Sequence, residues 1–252
     1  MAIFIKIQKE LNKLADKQQA IILARFFKTG PGQYGAGDKF LGIKVPQQRL
    51  VAKKYYREAT LSDVARLLHS PYHEHRLTGL IILVLKFSQS NPLEQQRIYN
   101  FYLKNTKYIN NWDLVDVTTP QIVGVCLLQM DCQSEPCLPA GRRQRRISRQ
   151  ILYKLVRSPS LWERRIAILA TFTFIRAWQF DDTIKLAEIL LNDPHDLIHK
   201  AVGWMLREVG KRDQTTLIKF LNKNAGRMPR TMLRYAIEKF SEDKRRYYLN
   251  KV

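Results

Sequence analysis

Residues 196–211, DLIHKAVGWMLREVGK, indicate the fold class most clearly. Apolar side chains recur in this stretch at three- and four-residue spacing, which places them on one face of an α-helix. The residues expected to enter the core are Ala201, Val202, Met205, Leu206 and Val209. The residues at i, i+4, i+7 and i+11 share the opposite face: Lys200, Trp204, Arg207 and Lys211. The stretch therefore predicts an amphipathic helix that carries three cations and a tryptophan on its polar side.

The same helical period extends along the chain in both directions. It is found at residues 3–15, 17–28, 46–58, 61–70, 74–88, 92–105, 118–130, 144–157, 160–176, 181–192, 196–210, 213–223 and 228–240. Prolines interrupt it, because the residue before a proline is pushed out of helical conformation. These breaks are Ser70-Pro71, Asn91-Pro92, Ser158-Pro159 and Asp193-Pro194. The expected N-caps are Thr60, Asp181 and Ser241, since their short oxygen side chains accept from the free amides of a first turn.

The fold class that follows is all-α. No run of alternating polar and apolar residues predicts a strand. Helix pairs of about 35 to 45 residues are typical of α-solenoids, so we expect HEAT-like helical repeats that form one curved α-solenoid domain over residues 1–252.

Two stretches lack the helical period. Residues 29–45 hold five of the eleven glycines and predict a long loop, ordered or mobile. Residues 131–142, DCQSEPCLPAGR, predict an inserted loop. The basic run RRQRRISR that follows is either a solvated helix start or an accessory nucleic-acid contact, and we favour the first.

The charge balance predicts a polyanionic partner. Lys and Arg number 43 against 22 Asp and Glu, a net charge of +21. The cations are spread over the chain among aromatic residues, which favours nucleic acid over an anionic membrane surface. No apolar run is long enough to span a membrane, and the N-terminus lacks the pattern of a signal peptide.

The three cysteines favour a reducing, cytoplasmic location, because an odd number argues against a disulfide framework. A zinc site at Cys132 and Cys137 is disfavoured, since the predicted loop that holds them contains no other thiolate. The pair His195 and His199 is spaced like zinc ligands on a helix, but without a third ligand surface or capping roles are favoured. The chain has no phosphate loop and no nucleophile elbow.

The motif NWDLVD, residues 111–116, is the first candidate site. Trp112 and Asp116 lie four residues apart and share a helix face. One interpretation is a helix start capped by Asn110 or Asn111, with Asp113 favourable to the helix dipole. That interpretation does not explain Asp116, because a carboxylate on a face that meets DNA is repelled unless it meets a cation.

Two further motifs carry cations beside tryptophan. In LWERR, residues 161–165, Trp162 is explained by packing alone, and a functional role for Arg165 is an even alternative. The row of Lys200, Trp204, Arg207 and Lys211 is costly in self-repulsion unless phosphates lie against it. Gly203 beside this row allows a neighbouring backbone to come close.

Together these motifs resemble the AlkD-type DNA alkylation repair family, alkylpurine DNA glycosylases built from HEAT-like repeats. The similarity runs from about Gly35 to the C-terminus. It is carried by GDKFLGI at 37–43 with Pro46 and Arg49, NWDLVD at 111–116, WERRIAIL at 162–169, KAVGWMLREVGK at 200–211 and MPRTMLRYA at 228–236. Five motifs in this order are quite specific.

The resemblance implies a basic concave face that binds double-stranded DNA with alkylated bases. It implies hydrolysis of the N-glycosidic bond of cationic purines such as 7-methylguanine and 3-methyladenine, in base excision repair. The catalytic set carried over is Asp116, Trp112 and Trp204. The DNA contacts carried over are Arg165, Arg207, Lys200, Lys211, Lys44, Arg49 and Tyr34. Lys44 stands where some relatives have a polar amide, and Tyr34 matches a family tyrosine only with a shift of register.

No metal or nucleotide cofactor is expected, and we expect a monomer. A DNA-binding HEAT-repeat protein without catalysis is the alternative, and a helical scaffold for proteins is a weaker one. Asp116 beside Trp112 favours the enzyme, because a protein that only binds gains nothing from a carboxylate that faces phosphates.

Overall fold

The computed structural model describes residues 2–133 and 149–251. In these ranges the chain is helical, and its extended pairing is limited to an isolated bridge between Lys39 and Tyr72. The helices are α1 Ile3–Lys13, α2 Lys17–Phe26, α3 Val45–Tyr55, α4 Leu61–Leu68, α5 His73–Gln89, α6 Pro92–Lys104, α7 Trp112–Thr119, α8 Val125–Gln133, α9 149–155, α10 Leu161–Arg176, α11 Asp181–Ile189, α12 Asp196–Gly210, α13 Gln214–Asn224, α14 Arg230–Ala236 and α15 Glu242–Leu249.

The chain divides into two compact units, Met1–Thr118 and Thr119–Val252. Helix α5 lies at the centre of the first unit, where it packs against α3 and α4. Its apolar residues from Leu77 to Leu83 are buried, as are the four polar residues HEHR at its N-terminus. Polar groups are costly to bury without partners, so this helix start must be satisfied from within the unit.

The glycine-rich segment before α3 is fixed by one carboxylate of α5. Glu74 accepts hydrogen bonds from the amides of Leu41, Gly42 and Ile43 at 2.9, 2.8 and 3.2 Å. Gly42 has a φ of +87°, and a Cβ there would lie 2.0 Å from the carbonyl oxygen of Asp16. Only glycine fits this position. Of the two forms that the sequence left open for this segment, the structure shows the ordered one.

Helix α12 is central to the second unit and packs against α10 and α14. Its predicted core face is confirmed, because Ala201, Val202, Met205, Leu206 and Val209 are fully buried. Gly203 meets α14 closely, since a Cβ there would lie 2.5 Å from the carbonyl oxygen of Met232. This confirms the expected approach of a neighbouring backbone and sets the distance between the two helices.

A π-helical turn at Pro120–Gly124 joins α7 to α8. Proline lacks the amide hydrogen that an α-helix interior needs, and a wider turn accommodates the interruption. The hydroxyl of Thr173 on α10 donates to the carbonyl of Pro120 at 2.7 Å. The sequence predicted one helix at 118–130. In the structure the helical segment starts earlier, at Trp112.

The structure confirms the predicted fold class and one of the three predicted N-caps with a side-chain capping bond. The all-α class is confirmed in the described ranges. Thr60 caps α4 and accepts from the amide of Asp63, as expected. Asp181 is not an N-cap, because Phe180 holds that position and Asp181 is the first residue of α11. Ser241 stands at the N-cap of α15 without a side-chain capping bond.

The inserted loop predicted at 131–142 is wrong at its beginning, because α8 continues to Gln133. The rest of that loop, and the basic run up to residue 148, lie outside the described residues. Arg149 closes the run and is buried, with its guanidinium bound to Asp182 at 2.5 Å and stacked on Phe174 at 4.0 Å. At this residue both interpretations of the run, a solvated start and a DNA contact, are wrong.

None of the described helices is long and apolar enough to cross a membrane.

Candidate functional site

Helix α7 presents Trp112 and Asp116 together at its partly exposed side. Leu114 and Val115, between them in sequence, are fully buried. The register therefore matches the helical spacing of the motif: two residues one turn apart face outward while their neighbours anchor the helix in the first unit.

Trp112 rests on an aromatic support. Its indole stacks on Phe27 with ring centres 5.3 Å apart and planes at 24°. Phe26 meets the same indole edge to face at 5.9 Å and is itself largely exposed, at 61%. Such ring pairs contribute about 0.5–1.5 kcal/mol beyond area burial, so the indole is held in one orientation.

A buried charge cluster lies beneath this aromatic support. His73, the first residue of α5, donates from Nε2 to Asp113 at 2.8 Å and from Nδ1 to Asp38 at 3.1 Å. Both carboxylates only accept when ionised, so both ring nitrogens must carry hydrogen. Arg76 also binds Asp38, and Asn111 donates to it at 3.3 Å. We call these five residues the His73 cluster.

The ionisation in this cluster follows from its charges. Burial alone would lower the pKa of His73, but the charge of Asp113 and the hydrogen bonds to both carboxylates outweigh it and raise the pKa to about 9. Burial would raise the pKa of Asp38, yet the hydrogen bond from His73 and the charge of Arg76 bring it below the usual value. The cluster thus holds two anions and two cations in a water-poor setting.

The outward row on α12 is confirmed, but its cations are paired. Lys200, Trp204 and Arg207 are partly exposed and Lys211 is exposed. Lys200 binds Asp196 at 2.7 Å, Lys211 binds Glu208 at 2.7 Å, and Arg207 binds Glu238. The expected self-repulsion is therefore offset within the protein, and the row alone does not require phosphates.

Trp204 also has an aromatic neighbour. Its ring centre lies 5.9 Å from that of Phe172 on α10, with the planes at 44°. The two tryptophans of the predicted catalytic set therefore differ in support, because the rings at Trp112 are stacked and those at Trp204 are tilted.

Arg165 is a buried residue, with an exposure of 5%. Its guanidinium donates to the carbonyl of Leu197 in the first turn of α12. The preceding Arg164 binds Asp193 at 2.6 Å, just before α12. Both arginines tie α10 to the start of α12, so this burial favours a supporting role for Arg165 over direct contact with phosphate.

The N-terminal contacts carried over from the family lie in the first unit. Tyr34 is partly exposed and donates to the carbonyl of Phe26 at 3.5 Å, which brings it near the aromatic support of Trp112. Lys44 and Arg49 are exposed at the N-cap and in the body of α3. These positions are accessible to a polyanion.

The two histidines before and on α12 serve the helix start. His195 is the N-cap, where Nδ1 accepts from the amide of Leu197 at 3.1 Å. His199 meets the carbonyl of Asp193 through Nε2. The favoured capping role is confirmed. Within the described ranges, no group of three or more His, Cys, Asp and Glu side chains is arranged to hold a metal ion.

The structure thus assembles two separate sets of candidate residues. Trp112, Asp116 and Tyr34 share the first unit, while Trp204 and the cationic row of α12 belong to the second. Sequence reasoning did not single out Phe27, Asp38 or His73. The available signal was HEHR at 73–76, a cluster of ionisable residues that opens an apolar helix.

A family model described as "DNA alkylation repair enzyme" matches residues 7–240. The chain belongs to this family. A solved structure titled as a predicted DNA alkylation repair enzyme from Enterococcus faecalis is similar, with a TM-score of 0.67 and 13% identity. The alignment covers 90% of this chain and 97% of that one, so the two share a fold. A search of curated proteins found no match.

This membership gives the chain a role in DNA alkylation repair. It agrees with the charge balance, which already indicated a nucleic-acid partner. The resemblance drawn from the sequence motifs is therefore confirmed at the level of the family.

Proposed function

We propose that this repair enzyme is a DNA glycosylase that hydrolyses the N-glycosidic bond of cationic alkylated purines, such as 7-methylguanine and 3-methyladenine, in duplex DNA. It would act in base excision repair in the cytoplasm, as a monomer, without metal or nucleotide cofactor. The observation that carries the proposal is the pair of Trp112 and Asp116, one helical turn apart at the partly exposed side of α7.

The chemistry needs little acid catalysis. An alkylated purine already carries positive charge, so the C1′–N bond breaks with its electron pair passing to the purine, which becomes neutral. Water adds to C1′ and loses a proton. The transition state resembles an oxocarbenium ion, as in other glycoside cleavage. We assign Asp116 to stabilise this developing cation and to orient the water.

Trp112 and Trp204 are assigned to the cationic nucleotide. An indole face attracts a cation by about 0.5–2 kcal/mol. The stack of Trp112 on Phe27 supports this assignment, because a ring held in one orientation loses less entropy on contact. Trp204 is assigned the same role, as the family resemblance implies.

The DNA backbone is assigned to cations of both units: Lys200, Arg207, Lys211, Lys44 and Arg49, with Tyr34. Ion pairs at the surface contribute little, a median of about 0–1 kcal/mol, so phosphates compete readily with the exposed Asp196 and Glu238 for Lys200 and Arg207. Arg165 is assigned to support α12, because of its burial.

The test is release of base from methylated duplex DNA with enzyme in excess. Asp116→Asn should lower the single-turnover rate on the order of a hundredfold, the usual loss when preorganised electrostatic stabilisation is removed. The control is Asp243→Asn, which changes the same charge on α15 at an exposed position and should release base at the wild-type rate.

Each outcome separates the enzyme from the alternative. Wild-type protein that binds DNA without releasing base would support the non-catalytic DNA-binding protein and refute the glycosylase. A rate of base release that Asp116→Asn leaves unchanged would support glycosylase activity but refute the role assigned to Asp116. Full activity after exhaustive chelation is expected, and its loss would show a metal requirement.

A further inference from the structure

We propose that His73 is a positioning residue for the Trp112–Asp116 pair: its imidazole, held between two carboxylates, fixes the first turn of α7 and the aromatic support of Trp112. The inference rests on the proposed glycosylase function and adds a residue to its machinery. His73 lies on α5, and its side chain is only 3% exposed, so it acts through its neighbours and not on the substrate.

The first connection runs through Asp113. This residue follows Trp112 directly and precedes Asp116 by three positions on α7. Its Oδ2 accepts from His73 Nε2 at 2.8 Å, while its Oδ1 accepts from the amide of Leu114 at 2.8 Å. A single carboxylate thereby links the imidazole of α5 to the backbone of the turn that carries the catalytic pair.

The second connection runs through the rings. The His73 imidazole lies against Phe40 at 4.8 Å and against Phe27 at 4.9 Å, measured between ring centres. Phe27 in turn stacks on Trp112 at 5.3 Å. A movement of the imidazole must therefore displace the ring on which Trp112 rests, since close-packed interiors leave little free space.

The charges around His73 explain why it must stay protonated. The ionisable groups that face it are Asp38 from the glycine-rich segment and Asp113 from α7, with Arg76 one turn along α5 bound to Asp38. A neutral imidazole would leave Asp38 with Arg76 as its bound cation, and would leave Asp38 and Asp113 together with one hydrogen-bond donor fewer. The uncompensated carboxylate would then draw water or another cation and shift the first turn of α7.

His75 provides a matched comparison on the same helix. It is also 3% exposed, but its Nδ1 meets the hydroxyl of Ser70 at 2.8 Å and no carboxylate. Burial, helped by the charge of Arg76, lowers its pKa to about 4, so it is neutral at physiological pH. Two buried histidines, two residues apart, thus carry different charges, and His73 is the one that binds a carboxylate of α7.

The experiment compares His73→Gln with His75→Gln in single-turnover base release and in DNA affinity. We expect His73→Gln to lower the rate at saturation by about tenfold or more, since a small misplacement of catalytic groups has costs of this order. Its DNA Kd should stay within about threefold of wild type, because most of the assigned backbone contacts are surface cations on α3 and α12. His75→Gln should keep the wild-type rate.

The outcomes distinguish this inference from the proposed function. An inactive wild type refutes the function, and the inference with it. An active wild type with equal rates for His73→Gln, or with equal losses in both variants, overturns the inference alone. A rise in Kd with an unchanged rate at saturation also overturns it.

A second measurement applies if His73→Gln fails to fold. The wild-type rate should fall as pH rises through about 9, as the imidazole loses its second proton. Asp113→Asn removes one anion from the cluster and should move this fall to lower pH. A wild-type rate that stays level to pH 10, or a fall that Asp113→Asn leaves in place, would refute the positioning role.

Discussion

Trp112 on α7 and Trp204 on α12 are surrounded by charges that are arranged in different ways. Beneath Trp112 the ion pairs are buried, and the side chains of His73, Arg76 and Asp38 are 3%, 5% and 6% exposed. Beside Trp204 the pair of Lys200 and Asp196 lies at the surface, at 40% and 55% exposed, whereas Glu208, which binds Lys211, is 9% exposed. Buried charges cannot exchange partners without large cost, whereas surface charges can.

This difference indicates that the two regions contribute differently, one to geometry and the other to affinity. A buried cluster sets geometry, because removal of one partner leaves a charge without compensation. A surface pair such as Lys200 and Asp196 supplies adjustable affinity, because the exposed carboxylate can be replaced by a phosphate at small cost. The α7 region is thereby suited to orient reacting groups, and the α12 row to hold a polyanion that must later be released.

The largest expected effect tests the buried side of the comparison. Arg76→Leu should lower the free energy of unfolding by about 3–5 kcal/mol, because Asp38 loses a buried partner. Lys200→Leu breaks a surface pair of the α12 row and should cost less than about 1 kcal/mol. Urea unfolding of both variants gives the two values. Similar losses would show that the two regions do not differ as described.

The second effect concerns pH. The pKa of His73 is raised from 6.5 to about 9, so its contribution to stability is complete below pH 6.5 and is lost as pH rises through 9. Since one pKa unit is worth about 1.4 kcal/mol, the loss should be about 3 kcal/mol. It is measured as the difference between wild type and His73→Gln in urea unfolding from pH 6 to pH 10. A constant difference over that range would contradict the assigned ionisation.

The smallest effect tests the surface side. Lys200→Met should weaken DNA binding by about three- to tenfold and reduce the salt slope of log Kd by about 1, as expected for one lost phosphate contact. Lys223→Met is the control, because Lys223 forms a similar surface pair with Glu188 outside the row. Equal effects of the two substitutions would remove the row from the DNA interface. For wild type, a Kd that is level from about 50 to 200 mM salt would refute the interface as a whole.

The surface features were predictable from the sequence because they depend on local spacing. The two faces of α12 follow from the helical period, and so does the pairing of Trp112 with Asp116. The carboxylate partners of the α12 row were partly visible at i−4 and i−3, as Asp196 and Glu208, but the prediction did not use them. Arg207 binds Glu238, which is 31 positions away and could not be assigned by spacing.

The buried cluster was not predictable, since its members come from distant parts of the chain. Asp38 lies 35 positions from His73, and Asp113 lies 40 positions beyond it. A single sequence shows Asp113 as a favourable residue for a helix start and gives no sign of the imidazole. The burial of Arg165 and Arg149 was not predicted for a similar reason, because the tertiary partners of an arginine in a basic motif are not visible in the sequence.

The carboxylate of Glu74 has a consequence for how this protein meets phosphates. The amides of Leu41, Gly42 and Ile43 converge on one point, as in backbone concavities that bind anions. Such a concavity, left open in a chain of charge +21, would bind a DNA phosphate. Glu74 occupies it permanently with an anion of the protein's own. The backbone therefore offers no competing phosphate site there. DNA binding then depends on side chains, from which DNA dissociates as the salt concentration rises.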